Sequence, residues 1–212
     1  MSLFITFEGT EGCGKSTQIE LLSQWLKSKN KEHILSREPG ATQVGKQIRS
    51  LLLNRESTDI VPLTELLLYA ADRAQHCEQI VRPALKKNII VLCDRFYDST
   101  TAYQEGGRQL SPKLVQEINQ LATQGLKPNL TFLLDLPVEL GLKRALKRGE
   151  AQQDKEDRFE REKIEFHERV RKKYLEIAAE EPKRVFKIIA DQSIDKIHEN
   201  IINILSPILG QL

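Results

Sequence analysis

The chain has little that would place it outside a cell or across a membrane. Of its 212 residues only three are cysteines, Cys13, Cys77 and Cys93, an odd number at spacings that match no zinc or disulfide framework. A reduced, cytoplasmic setting is the expectation. No apolar run approaches the roughly 20 residues that cross a bilayer. The opening MSLFITFEGT has no basic stretch before its apolar run and no small-residue cleavage site, so it does not read as a secretory signal. Lys and Arg total 32 against 30 Asp and Glu, a net charge of +2, which excludes the strongly basic footprint of a bulk nucleic-acid binder. There is no internal repeat and no low-complexity tract. The N-K-x-D and D-x-x-G pair of a GTPase is missing as well.

What is present is alternation. Short apolar runs at residues 3–7, 33–36, 89–93, 130–134 and 185–189 alternate with segments of helical period. Those segments cover 16–29, 44–53, 63–87, 111–123, 140–147, 158–180 and 194–205, with Ser111 as a candidate N-cap ahead of Pro112. In the longest, Leu66, Leu67, Ala70, Ala74, Cys77 and Val81 fall on one face. Strands separated by helices of ten or more residues imply βαβ units and a parallel sheet covered on both faces. The expectation is therefore an α/β fold of three layers, with a five-stranded parallel sheet, built as one domain over residues 1–212. The polar, aperiodic stretch GEAQQDKED at 149–157 reads as a mobile insertion.

Directly after the first strand comes Gly9-Thr10-Glu11-Gly12-Cys13-Gly14-Lys15-Ser16-Thr17, the pattern G-x-x-x-x-G-K-[ST] in a strand–loop–helix setting. Glycines let the backbone curl so that N–H groups point inward at phosphate oxygens, and the helix opening at Lys15 adds its positive end. Lys15 would neutralise the outer phosphates of a nucleoside triphosphate, and the Ser16 hydroxyl would ligate Mg²⁺. Cys13 reads as a small loop residue rather than a nucleophile. Two further apolar runs end in carboxylates, Asp94 and Asp135. Asp94, followed at once by Arg95, is the better candidate to support the metal; Asp135 could equally cap the next helix.

A phosphate loop says only that a nucleotide binds. Arg37, Arg73, Arg95, Arg144, Arg148 and Arg158 are scattered over expected strand ends and loops. Transfer of a phosphoryl group between two nucleotides needs such residues, because two polyanions must meet and the transferring group carries charge on three oxygens.

In this order, FEGTEGCGKST (7–17), REPG (37–40), LLYAADR (67–73), DRFYDSTTAYQ (94–104) and DRFEREKIEFHERVRKKY (157–174) resemble the thymidylate kinase family, over nearly the whole chain. The resemblance implies a P-loop NTPase fold that phosphorylates dTMP with Mg·ATP. It implies that Arg37 grips the acceptor phosphate, with Glu38 and Pro39 fixing the turn that aims it. Tyr69 would stack on thymine and Arg73 would donate to its O4. Asp94 and Arg95 would support the metal and clamp the transferring group. Ser99 and Thr100 would lie near the thymine N3 edge, with Gln104 near the base or sugar. Tyr103 would fill the space of a ribose 2′-hydroxyl, and Glu11 would lie near the acceptor sugar or the metal. Residues 148–158 match a lid over ATP. Since the phosphate loop has no Arg between Gly9 and Gly14, the lid is expected to supply the catalytic one, Arg148 first, then Arg144 and Arg158. Ala190 falls where the family places adenine.

The family also implies a homodimer, for which the apolar side of 63–85 is suited, and no nucleic-acid or membrane partner. Two other readings stay open. One is a related kinase with another nucleoside monophosphate or a deoxynucleoside as acceptor. The other is a nucleotide-binding module without turnover.

Overall fold

Five strands form one parallel sheet in the order β2-β3-β1-β4-β5 in a computed structural model that describes residues 2–152 and 156–210. β1 (Phe4–Glu8) is central and buried along its whole length. It pairs with β3 (Ile90–Asp94) on one side and β4 (Leu130–Asp135) on the other. β2 (His33–Arg37) and β5 (Val185–Ile189) are the edges. The apolar runs without alternation are thus the inner strands, buried on both faces.

The two-residue period of β1 divides the core. Ile5 and Phe7 face a cluster with Leu22 and Leu26 of α1 (Lys15–Ser28) and Ile197, Ile201 and Leu205 of α9 (Ile194–Gly210). Phe4 faces the opposite cluster with Val91, Cys93, Phe96, Cys77 and Val81. Glu8 shares that second face, and so a carboxylate is carried into the interior beneath the phosphate loop.

The remaining helices are α2 (Gln43–Leu53), α3 (Pro62–His76), α4 (Arg82–Lys86), α5 (Tyr97–Thr100), α6 (Pro112–Thr123), α7 (Val138–Gln152) and α8 (Ile164–Glu180). Several expectations need correction. The segment read as one helix over 63–87 is broken by a π-helical turn, Cys77–Val81, between α3 and α4. Leu66, Cys77 and Val81 of the expected apolar face are buried, but Leu67 is exposed, and Glu65, Asp72, Arg73 and His76 are buried beside them. A helical segment unseen in the sequence runs through α5 into a second π-turn, Thr101–Gly107. Ser111 precedes α6, but its side chain caps nothing; Pro112 alone marks the start. Residues 158–163 are turn, bend and irregular chain, so α8 starts six residues later than expected. α7 continues past 147 to Gln152, and α9 continues through Pro207. Of the expected lid, 148–158, the first part is thus the end of a helix, and residues 153–155 lie outside the described residues.

Candidate active site

The carboxyl ends of the parallel strands point at one edge of the sheet, where crevices form in such folds. Register brings three parts of the site together there: Phe7 stands beside Asp94, and Arg37 pairs across from the same Asp94.

β1 runs directly into the phosphate loop. Gly14 caps α1 in the left-handed region, φ 96°, a conformation that costs a residue with Cβ but not glycine. The first N–H groups of α1 are thereby left facing the loop. Lys15 is buried, and its Nζ donates to the carbonyls of Gly9 and Thr10, each at 3.1 Å, with Cys13 Sγ at 3.5 Å. The cation is thus held in the middle of the loop. Ser16 Oγ donates to Asp94 Oδ2 at 3.2 Å, which joins the helix start to the end of β3.

Arg95 follows Asp94 with φ 69° and a side chain held from several sides. Its Nη1 donates to Ser99 Oγ and Tyr174 Oη, its Nη2 to Glu11 Oε1 and Tyr103 Oη, at 3.1 to 3.2 Å. Tyr103 in turn donates to Glu11 Oε1 at 2.5 Å. Burial alone would raise the Glu11 carboxyl, but His167, Arg95 and Tyr103 outweigh it and hold it at about 2. His167 Nδ1 lies 3.3 Å from Glu11 Oε2, without the alignment of a hydrogen bond. Beneath Arg95, Glu8 accepts from Phe96 N–H, Ser99 Oγ and Tyr174 Oη at 2.6 to 2.8 Å. Burial, reinforced by Asp98, pushes its carboxyl up to about 7.

The opposite wall comes from α2, α3 and the REPG turn. Arg73 donates its Nε to Glu38 at 2.8 Å and its Nη1 to Thr100 and Asn119. Glu38 also meets His76 Nδ1 at 2.7 Å, and Asp72 accepts from the Gly40 N–H at 3.0 Å. Glu38 therefore anchors the turn onto α3 through Arg73 and His76. Arg37 is exposed, lines the cleft and makes no ion pair among the described residues. Tyr69 packs on Phe159, ring centroids 6.4 Å apart.

These parts enclose one cleft with a free volume of about 430 Å³. Lys15, Ser16, Asp94, Arg95, Arg37, Arg73, Tyr69, Ser99, Thr100, Tyr103, Gln104, Glu11 and Arg148 all line it. The structure does not bring every expected residue there. Arg144 is exposed on α7 away from the cleft wall. Arg158, expected at ATP, is fastened instead to the Leu52 carbonyl and to Glu65, at 2.7 Å from the latter. Ala190 is fully buried and its N–H bonds the Asp135 carbonyl. Among the described residues Asp135 makes no helix-capping bond and does not meet Ser16; it holds Arg171 at 2.7 Å.

Other cleft residues were not foreseen. Arg49 on α2 lines it, bonded to the Pro39 carbonyl and to Glu156. In the sequence it is one charge on a helical pattern. Glu8 is not on the cleft wall but lies buried beneath Arg95, and only the fold shows that burial.

A parallel sheet with a phosphate loop at its central strand, a Ser–Asp oxygen pair beside it and guanidinium groups converging from the other walls define a P-loop phosphotransferase for two phosphorylated substrates. The thymidylate kinase family model matches residues 7–201. A thymidylate kinase of Geotalea uraniireducens is 52% identical over 197 residues, 92% of each chain, and one of Geotalea daltonii is 49% identical over 214 residues, covering 100% of this chain and 99% of that one. The crystal structure of thymidylate kinase from Ehrlichia chaffeensis superposes with a TM-score of 0.77 at 34% identity, covering 97% and 98% of the two chains. The chain belongs to the thymidylate kinase family.

Proposed function

We propose that the chain transfers the γ-phosphoryl group of ATP to dTMP, giving dTDP and ADP for dTTP synthesis. The observation that carries this reading is the single cleft that joins the phosphate loop to the Tyr69, Arg73 and Gln104 wall across Arg95. The attacking phosphate oxygen of dTMP is already anionic, so no protein base is required, and catalysis is positioning and charge stabilisation.

Lys15 and the loop N–H groups hold the β- and γ-phosphates. Arg37 takes the acceptor phosphate; its exposed side chain on the cleft wall, in strand register with Asp94, supports that role. Arg95, fixed by Glu11, Tyr103, Ser99 and Tyr174, stabilises the charge that develops on the transferring group. Ser16 and Asp94 present hard oxygens side by side and fit a magnesium ion, which when bound would neutralise phosphate charge. Tyr69 stacks on the base, Arg73 donates to its O4, and Ser99, Thr100 and Gln104 complete the base side. Tyr103 closes the space of a 2′-hydroxyl. Arg148, on the end of α7, is the cleft-lining cation of the lid, while Arg158 acts as its strut. Residues 1–212 act as one domain with this lid at about 148–158.

The enzyme is read as a cytoplasmic homodimer acting on small nucleotides, without nucleic acid or membrane. Leu63 and Leu67 on α3 and Leu121 on α6 are exposed apolar groups that support a subunit interface. No described helix is long and apolar enough to cross a membrane.

A panel of acceptors with Mg·ATP tests the reading, with ADP release and product identity as readouts. dTMP is expected to give dTDP at the highest kcat/KM. Preference for another monophosphate or for a deoxynucleoside would replace the acceptor, and no transfer to any of them would leave a binding module.

A further inference from the structure

We propose that Glu65, a buried residue outside the cleft wall, is a positioning residue for base choice: it turns the Gln104 carboxamide so that its oxygen, not its NH₂, faces the acceptor base. The inference rests on the dTMP reading above and extends it to a residue that touches no substrate.

Glu65 is fully buried on α3. Its Oε1 accepts from Gln104 Nε2 at 2.9 Å and from Arg108 Nε at 3.1 Å. Its Oε2 accepts from Arg108 Nη2 at 3.1 Å and Arg158 Nη2 at 2.7 Å. Burial opposes ionisation, but the two guanidinium groups outweigh it and hold the carboxyl below its usual range. An ionised carboxylate can only accept. The edge of Gln104 that meets it must therefore be the NH₂, and this assigns the amide without ambiguity.

Gln104 is almost wholly buried, yet it lines the cleft, and its Oε1 has no partner among the described residues. Two turns along α3 from Glu65, Arg73 has Nε and Nη1 engaged and Nη2 without a partner among the described residues. The cleft is thus lined by one fixed acceptor and one fixed donor. Among pyrimidines, thymine and uracil present the matching N3–H donor and O4 acceptor. Cytosine presents a lone pair at N3 and an amine at C4, the reverse at both positions. A freely turning Gln104 would offer either edge and lose half of that discrimination.

Two variants test this, each assayed with dTMP and dCMP under Mg·ATP. In Glu65→Gln the new NH₂ must displace one acceptor oxygen. The Oε2 position faces two arginine donors and Oε1 only one, Arg108 Nε, so the NH₂ settles at Oε1, where Gln104 must turn over to accept from it. Gln104→Leu removes the oxygen but leaves Glu65 paired with Arg108 and Arg158, so folding is retained. In both, the ratio of kcat/KM for dTMP to that for dCMP should fall by about tenfold or more, the scale of one lost base-edge pair. A purely structural Glu65 would lower both acceptors alike, so an unchanged ratio in Glu65→Gln overturns the inference, whatever Gln104→Leu does. If the parent chain itself fails to phosphorylate dTMP, the functional reading fails instead, which the same assay shows.

Discussion

Gly12 of the phosphate loop and Gly141 of α7 meet backbone to backbone. A Cβ on Gly12 would lie 2.1 Å from the Gly141 carbonyl oxygen, and one on Gly141 would lie 2.4 Å from the Glu11 carbonyl oxygen. Neither neighbour is a side chain that could swing away. α7 is thus seated directly on the glycine-rich loop after β1, and Arg148 extends from the same helix two turns later. Gly141→Ala should push α7 off this seat. We expect a loss of about 1–3 kcal/mol in unfolding free energy, as for overpacked sites, together with a raised KM for ATP and a smaller change for dTMP. Denaturant melts and two-substrate kinetics check this; equal effects on both KM values would show that the contact does not aim the ATP side.

Arg148 lines the cleft while Arg144 and Arg158 do not. Arg148→Ala should therefore lower kcat by about a hundredfold or more, the scale of one lost charge-stabilising donor, with little change in dTMP affinity. Arg158→Ala should act differently. It strips one partner from buried Glu65, so it should lower the melting temperature. A variant of Arg148 that changes only the KM for ATP would reassign it to binding.

Glu8 gives the fold a pH dependence of definite sign. Its carboxyl is pushed from 4.5 up to about 7, first by burial and then by Asp98. A raised carboxyl binds its proton more tightly in the folded chain than in the unfolded one. Its contribution to stability is complete below about 4.5 and is lost as the pH climbs through about 7. Asp72, raised to about 6, has the same sign over a lower window. Glu11, held at about 2, has the opposite sign, adding stability above about 4.5 that is lost in acid. Glu8→Gln keeps an oxygen for the Phe96 N–H and offers its NH₂ to the Ser99 and Tyr174 hydroxyls. The melting temperature of the variant relative to the parent should rise between pH 5 and 8, by several degrees. A difference that stays flat over that range would contradict the assignment.

These residues also mark how far the sequence can be read. The phosphate loop is legible because its chemistry is contiguous: strand, glycines, Lys15 and Ser16 follow one another. The inner strands are legible because burial on both faces leaves no polar positions. The helical stretch from Tyr97 to Gly107 was invisible because its buried residues include Asp98, Thr100 and Gln104, which show no apolar stripe. The inward face of α3 misleads for the same reason, with Arg73 and Glu38 burying each other as an ion pair. The bond of Arg158 to Glu65 is not legible in the sequence, because the two residues are 93 positions apart. Periodicity detects apolar burial; polar burial depends on partners that only the fold brings close.

Tyr103 combines two functions that substitution can separate. Its hydroxyl links Glu11 to Arg95, and its ring packs edge-on against Phe159, Phe166 and Tyr174. Tyr103→Phe keeps the ring and removes the hydroxyl. It leaves Glu11 Oε1 with Arg95 alone, so the Glu11 carboxyl should rise from about 2, and Arg95 loses one of its constraints. The expected result is a kcat about tenfold lower, with the preference for deoxyribose over ribose unchanged. Tyr103→Leu removes most of the ring and opens the space it occupies. Its ribothymidine monophosphate kcat/KM should rise relative to that for dTMP, while melting falls because a buried aromatic is lost. The two variants should thus separate on the sugar ratio, measured with both acceptors under the same Mg·ATP. If Tyr103→Leu keeps the parental ratio, the ring does not gate the sugar, and the role of Tyr103 reduces to holding Glu11 and Arg95.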